Sequence, residues 1–306
     1  MVQTSEARFV SRLFGITLLL IAAGAVLTLA AQPPSFWSHP QTAIRFDGLP
    51  IHSATNPMFD FFLGRGWIVY LAGVSLYAAV VWLVVTVLPK KLAMAAELTV
   101  ILGLCYCGSN WIVVRWNTGT GGALLYASAV AILLAVAVLP SGDDRDRAAL
   151  KRLCWVMALT TAIDAIFTLI GQPASYWQNP ATVYEGNPAS KFFLEEGWWA
   201  YAVYNVVEIA VPWFLALRIA PMAGWALAFG VALGGLFGGS NWLFYVWRLG
   251  LQAPIVYAAL LSIAVVWLVL NRRRGATVDE LSADSSQGIT LRNANDVSSN
   301  GSSCRC

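Results

Sequence analysis

Two acidic residues stand inside otherwise apolar stretches, Asp164 in "TTAIDAIFTLIGQ" and Glu208 in "YAVYNVVEIAVPW". A carboxyl at the centre of a membrane helix costs at least ~2.5–3.5 kcal/mol, so such residues are functional candidates by default. Each belongs to a polar stripe. Thr161, Asp164, Thr168 and Gln172 follow the three-and-four spacing that places side chains on one helical face, and so do Tyr201, Asn205 and Glu208. Counted along their apolar runs, Asp164 lies roughly 10 Å and Glu208 roughly 15 Å below the same edge, at a rise of about 1.5 Å per residue. Two such stripes, facing each other, form a cleft with Glu185 and Asn187 in the loop at its mouth. The chemistry open to the pair is proton coupling, cation binding or general acid–base work. The competing reading is that Thr, Asn and Tyr neighbours hydrogen-bond neutral carboxyls and so tie helices together.

The elements that must position these groups are membrane helices. Hydrophobic residues make up 58% and charged residues 11% of the 306-residue chain, too few charges to cover a soluble surface. Apolar runs near 12–31, 67–88, 92–115, 120–140, 152–171, 198–219, 222–247 and 251–270 are each long enough to cross a hydrocarbon core about 30 Å thick. The fold expected is all-α, with eight spans. With the N-terminus inside, the cytoplasmic segments hold Arg8, Arg12, Lys90, Lys91, Arg145, Arg147, Lys151, Arg152, Arg218, Arg272, Arg273 and Arg274; the outer ones hold Arg45, Arg65, Arg115, Lys191 and Arg248. That bias places both termini in the cytoplasm, of a bacterial inner membrane in this reading. It also accounts for most of the net charge of +3, so no nucleic-acid partner is inferred. The first run is longer than a signal h-region and is expected to be retained as a span.

The tetrapeptide Gly-Ser-Asn-Trp occurs at 108–111 and again at 239–242, 131 residues on. The same offset aligns Asn56-Pro57 with Asn187-Pro188, Phe61-Phe62-Leu63 with Phe192-Phe193-Leu194, Gly66-Trp67 with Gly197-Trp198, Tyr70 with Tyr201, and Tyr126 with Tyr257. Upstream, an offset of 140 pairs Arg12 with Arg152, Thr28 with Thr168, and Gln32-Pro33-x-Ser35-x-Trp37 with Gln172-Pro173-x-Ser175-x-Trp177. The chain reads as two parallel four-helix repeats, 1–140 and 141–274, followed by a disordered cytoplasmic tail, 275–306. An even number of spans gives both copies the same orientation. Asn110 and Asn241 then lie near the outer ends of spans three and seven, where Gly and Ser permit close helix contact and Asn can bond a neighbouring helix. Trp111, Trp116, Trp242 and Trp247 suit an aromatic belt at that depth. The repeats differ where chemistry matters: Gly24 and Tyr77 stand at the positions of Asp164 and Glu208.

Other polar residues carry less. Glu97, near the inner end of span three, can reach headgroups or Lys90 and Lys91. His39, Asp47, His52 and Asp60 share a loop without diagnostic ligand spacing, so no metal site is expected, and no cofactor motif is present. Cys105, Cys107 and Cys154 read as small apolar packing residues. Cys304 and Cys306 read as part of an incidental polar tail.

Asp164, Thr168, Glu185, Asn187 and Pro188 form an Asp-x-x-x-Thr in one span followed by Glu-x-Asn-Pro in the next loop. In this the second half resembles DUF5658, a family of small uncharacterised bacterial membrane proteins. The resemblance adds support for a site at these residues and implies no particular reaction.

The expected function is transporter-like or small-ligand binding in the bilayer. Asp164 and Glu208 serve as proton- or cation-binding carboxyls, and Thr168, Gln172, Glu185, Asn187, Asn205 and Asn241 shape the cleft. The alternatives are an intramembrane enzyme acting on a lipid-linked substrate, with the same carboxyls as acid and base, and a structural assembly partner.

Overall fold

The computed structural model describes residues 5–43, 61–116, 118–138, 142–250 and 252–270. Every regular element among them is helical. In lipid this follows from the backbone, because a helix satisfies its own N–H and C=O groups where no water can. The elements are α1 (Ser5–Ala30), α2 (Trp67–Val87), α3 (Lys90–Arg115), α4 (Gly119–Val138), α5 (Asp144–Ile170), the short α6 (Pro188–Glu195), α7 (Trp198–Ala216), α8 (Pro221–Asn241) and α9 (Gln252–Ala264). Wider π-helical turns, Trp242–Val246 and Val265–Leu270, extend α8 and α9. Eight of these helices are long and apolar enough to cross a membrane, so the chain is a multi-pass membrane protein. Asn56, Pro57, Asp47, His52, Asp60, Cys304, Cys306 and the tail 275–306 lie outside the described residues.

Helix boundaries follow from local chemistry. α5 starts earlier than the apolar run beginning at 152, because Asp143 caps it: its Oδ1 accepts from the Asp146 N–H at 2.7 Å. α2 and α7 both start after a glycine in the same unusual conformation, φ 112° at Gly66 and φ 118° at Gly197, which a side chain would strain.

The main core lies where α3, α4, α5, α8 and α9 meet α1, around the fully buried Ile101, Leu153, Met157, Trp225 and Val266. α8 packs on both α5 and α4, and α3 packs on α1, α4 and α9. Glycine makes the closest of these contacts possible. A Cβ at Gly235 would lie 2.8 Å from backbone atoms of Thr160 and Thr161, so α8 rests directly on the α5 main chain there.

Sequence-matched positions carry matched geometry. The loops after α1 and α5 each fold into two 3-10 turns, Pro34–Trp37 with Pro40–Thr42 and Ala174–Trp177 with Pro180–Thr182. Arg12 donates to the Ala137 carbonyl at 3.2 Å, and Arg152 donates to the Leu268 carbonyl at 3.3 Å. Donors 140 residues apart thus meet acceptors 131 residues apart, each arginine holding carbonyls near the C-terminal end of a helix, where cations are favoured.

The two Gly-Ser-Asn-Trp segments meet at the contact between the halves. Asn241 Oδ1 accepts from the Tyr106 hydroxyl at 3.3 Å, and Asn110 Oδ1 accepts from the Tyr245 hydroxyl at 3.4 Å. Between them the rings of Tyr106 and Phe237, themselves matched positions, lie 5.8 Å apart. The aromatic-belt expectation does not extend to Trp242. It is buried, and its indole occupies the space that a side chain at Gly171 would need.

Candidate functional site

Asp164 projects from α5 toward α8, and the residue it meets is Gly238. A Cβ at 238 would fall 2.3 Å from Asp164 Oδ2, so the missing side chain is what gives the carboxyl room. Asp164 Oδ1 is buried and makes no hydrogen bond. On α9, Tyr257 is within electrostatic range of Asp164, and its hydroxyl is likewise buried without a partner. Buried polar atoms are almost always satisfied, so two orphans within electrostatic range of each other call for an explanation.

The other acidic groups come from α7 and the loop before α6. Glu208 and Glu185 both act electrostatically on Asp164. Glu208 is hydrogen-bonded to Tyr204, one turn back on the same helix. Glu185 lies outside the spans. Burial raises its pKa above the usual carboxylate range, and hydrogen bonds from the Asn187 and Gly186 backbone partly oppose the rise. The pair expected from sequence thus has Glu185 as a third carboxyl within electrostatic range of Asp164. Among the described residues, no group of three or more His, Cys, Asp or Glu side chains is placed to hold a metal ion.

Two of the remaining expected residues hold the loop that carries Glu185, and two more bond Tyr201. Gln172 donates through Nε2 to the carbonyls of Thr168 and Tyr184, both at 3.0 Å, and its Oε1 accepts from the Tyr184 N–H at 2.8 Å. It thereby fixes the loop one residue before Glu185. Asn187 caps α6 by accepting from the Ala189 N–H at 3.1 Å, while its own N–H donates to Glu185 Oε1 at 2.7 Å. Thr168 and Asn205 are buried hydrogen-bonding neighbours of Tyr201. Asn205 also donates to the Tyr201 carbonyl at 2.8 Å. Asn241 is turned to the first half, where it accepts from Tyr106.

Glu97 requires a correction. It does not reach headgroups or Lys90 and Lys91; it is fully buried, with Thr17 of α1 donating to Oε2 at 2.5 Å and Oε1 left without a hydrogen bond. α3 faces α1 at this level, so the side chain points into the bundle. Cys105 and Cys154 are buried as expected, whereas Cys107 is exposed.

Sequence reasoning missed Gly238, Tyr204 and Tyr257 as members of the site. The glycine-rich run in α8 signalled close approach without saying to what. Tyr204 stands four residues before Glu208, a spacing that signals contact on a helix. No family model, curated protein or solved structure matches the chain.

Proposed function

We propose that this is a transporter-like or small-ligand-binding membrane protein in which Asp164, Glu208 and Glu185 bind a proton or a cation. The observation that carries the reading is the unpartnered, buried Asp164 Oδ1 held against Gly238. A carboxyl kept only to join helices would be hydrogen-bonded across the gap, since an unsatisfied buried acceptor costs stability. Glu208 and Glu185 add negative charge around it, an arrangement that favours capture of a positive partner. The loop fixed by Gln172 keeps Glu185 over the site.

The same proposal includes the chain's history and placement. Two parallel four-span repeats, supported by the matched arginine–carbonyl contacts and loop turns, are arranged so that only the second carries the carboxyl pair. The lysine and arginine bias favours cytoplasmic termini, the membrane is read as a bacterial inner one, and the short motif by which the second half resembles DUF5658 falls on the residues of this site.

Thermal unfolding of the purified protein from about pH 5 to 9, with Asp164→Asn and Glu208→Gln alongside, tests the reading. The expected result is that Asp164→Asn melts at least as high as wild type and flattens the pH dependence of Tm. Lower melting at every pH with an unchanged slope would assign Asp164 to helix packing and end the proposal.

A further inference from the structure

Asp164 Oδ1 and the Tyr257 hydroxyl are both buried and both without a hydrogen bond. They come from different helices, α5 and α9, and consecutive glycines of α8 bring them close. A Cβ at Gly238 would lie 2.5 Å from Asp164 Oδ1, and a Cβ at Gly239 would lie 3.6 Å from the Tyr257 hydroxyl and 3.1 Å from its ring. The tyrosine–glycine contact recurs 131 residues earlier, where a Cβ at Gly108 would lie 2.8 Å from the Tyr126 hydroxyl. There, Gly24 and Cys107 stand at the positions of Asp164 and Gly238. Only the second tyrosine therefore has a carboxyl beside it.

What that carboxyl takes up follows from its surroundings. Oδ1 has almost no accessible surface, so neither a hydrated ion nor a molecule seats against that oxygen. A metal ion draws on several ligands, and among the described residues no three His, Cys, Asp or Glu side chains are grouped for one. A proton needs neither space nor a ligand set. Asp164 as a whole keeps some accessible surface, which gives a proton its way in. The titratable groups in range are Glu208, Tyr201 and Tyr204 of α7, Glu185 of the loop and Tyr257 of α9. α8 contributes none. No cation is among these groups to neutralise a carboxylate. A hydroxyl can donate to a carboxylate and accept from a carboxylic acid, so one tyrosine serves both states. Gly238 leaves the carboxyl room to turn toward it.

We infer that Asp164 takes up a proton, rather than a metal ion or an organic cation, and that the Tyr257 hydroxyl is the hydrogen-bond partner of both its states. Uptake forms one O–H bond at Asp164 and removes its negative charge. Release returns the proton to solvent and changes no other bond. The inference rests on the carboxylate reading and narrows it.

Infrared difference spectra of the full chain in phosphatidylcholine nanodiscs, taken from about pH 4 to 10, test it. Subtracting the matching Asp164→Asn spectrum in each background isolates the carboxylic-acid carbonyl band of Asp164. In wild type the band should fade as pH rises. Tyr257→Phe should move it to higher frequency, because a carboxyl that loses a hydrogen bond has a stiffer C=O. Tyr126→Phe, which removes the matched hydroxyl with no carboxyl beside it, should leave the band in place. Each of these changes removes a single oxygen and keeps the ring that packs. Replacing potassium chloride by sodium, magnesium or tetramethylammonium chloride at equal ionic strength should move the midpoint by no more than about 0.3 pH units, a twofold change. A larger fall in any of these salts would reveal a competing cation; the carboxylate reading would then stand and this inference would fall. A band that ignores Tyr257→Phe, or that never titrates, overturns it too. So does a spectrum unchanged by Asp164→Asn, in which case the melting experiment decides the carboxylate reading separately.

Discussion

At the scale of single residues, the second half separates the groups that hold the site from the groups left unspent. Gln172 uses both its donor hydrogens and an acceptor lone pair on backbone groups, and Asn187 is occupied as a helix cap. Gln172 is thereby spent on the backbone and Asn187 Oδ1 on the cap, although their polarity in a membrane protein marks them in the sequence as strongly as it marks Asp164. Glu185 is the group whose titration can be followed outside the spans. Its folded pKa lies above the usual value of 4.5 because burial disfavours the charge. The folded state then holds its proton more tightly than the unfolded state does. The stabilising contribution is complete below about pH 4.5 and fades as pH rises through the higher folded value. Glu185→Gln should therefore melt higher than wild type at neutral pH and like wild type near pH 4, as differential scanning calorimetry in one detergent would record. A variant that melts lower at neutral pH would show that the hydrogen bonds from Asn187 and Gly186 outweigh burial.

At the scale of elements, the spans were legible because periodicity and length are properties of the chain alone. The eight apolar runs coincide with the eight crossing helices to within a few residues, except at the starts of α1 and α5, which lie several residues earlier, the latter because Asp143 caps it. What each helix faces was not legible. Glu97 reads from sequence as an interfacial residue near Lys90, and only the packing of α3 on α1 turns it toward Thr17. Glycine shows the same limit: Gly235 and Gly238 look alike in sequence but meet different neighbours. A methyl at 235 would strike the α5 main chain, which cannot give way, whereas a methyl at 238 would strike the movable end of Asp164. Gly→Ala also favours an exposed helix by about 1 kcal/mol. Gly235→Ala should thus lose about 1–3 kcal/mol of stability to overpacking, and Gly238→Ala should stay near neutral in stability while displacing the carboxyl. Equal Tm values for the two variants would contradict the direct contact between α8 and α5.

At the scale of the whole molecule, the two Gly-Ser-Asn-Trp segments join the first half of the chain to the second. Gly and Ser leave room for helices to approach, and each asparagine then takes a hydroxyl from the other half. The exchange is crossed: Tyr106 precedes its own asparagine by four residues and stays within side-chain hydrogen-bonding reach of it, yet its hydroxyl also reaches Asn241, while Tyr245, which follows Asn241 by four, reaches Asn110. The repeat offset pointed to both asparagines but not to this crossing, because partners on opposite halves share no periodicity along the chain. A double-mutant cycle separates the crossed arrangement from a merely local one. Tyr245→Phe combined with Asn110→Leu should show a coupling of about 0.5–1 kcal/mol, modest because the bond is long. The same phenylalanine combined with Asn241→Leu should be additive, although Asn241 is the nearer residue in sequence. If the larger coupling instead falls on Asn241, the tyrosine belongs to its own half. The two units would then be joined chiefly by the apolar contacts of α8 with α4 and of α9 with α3.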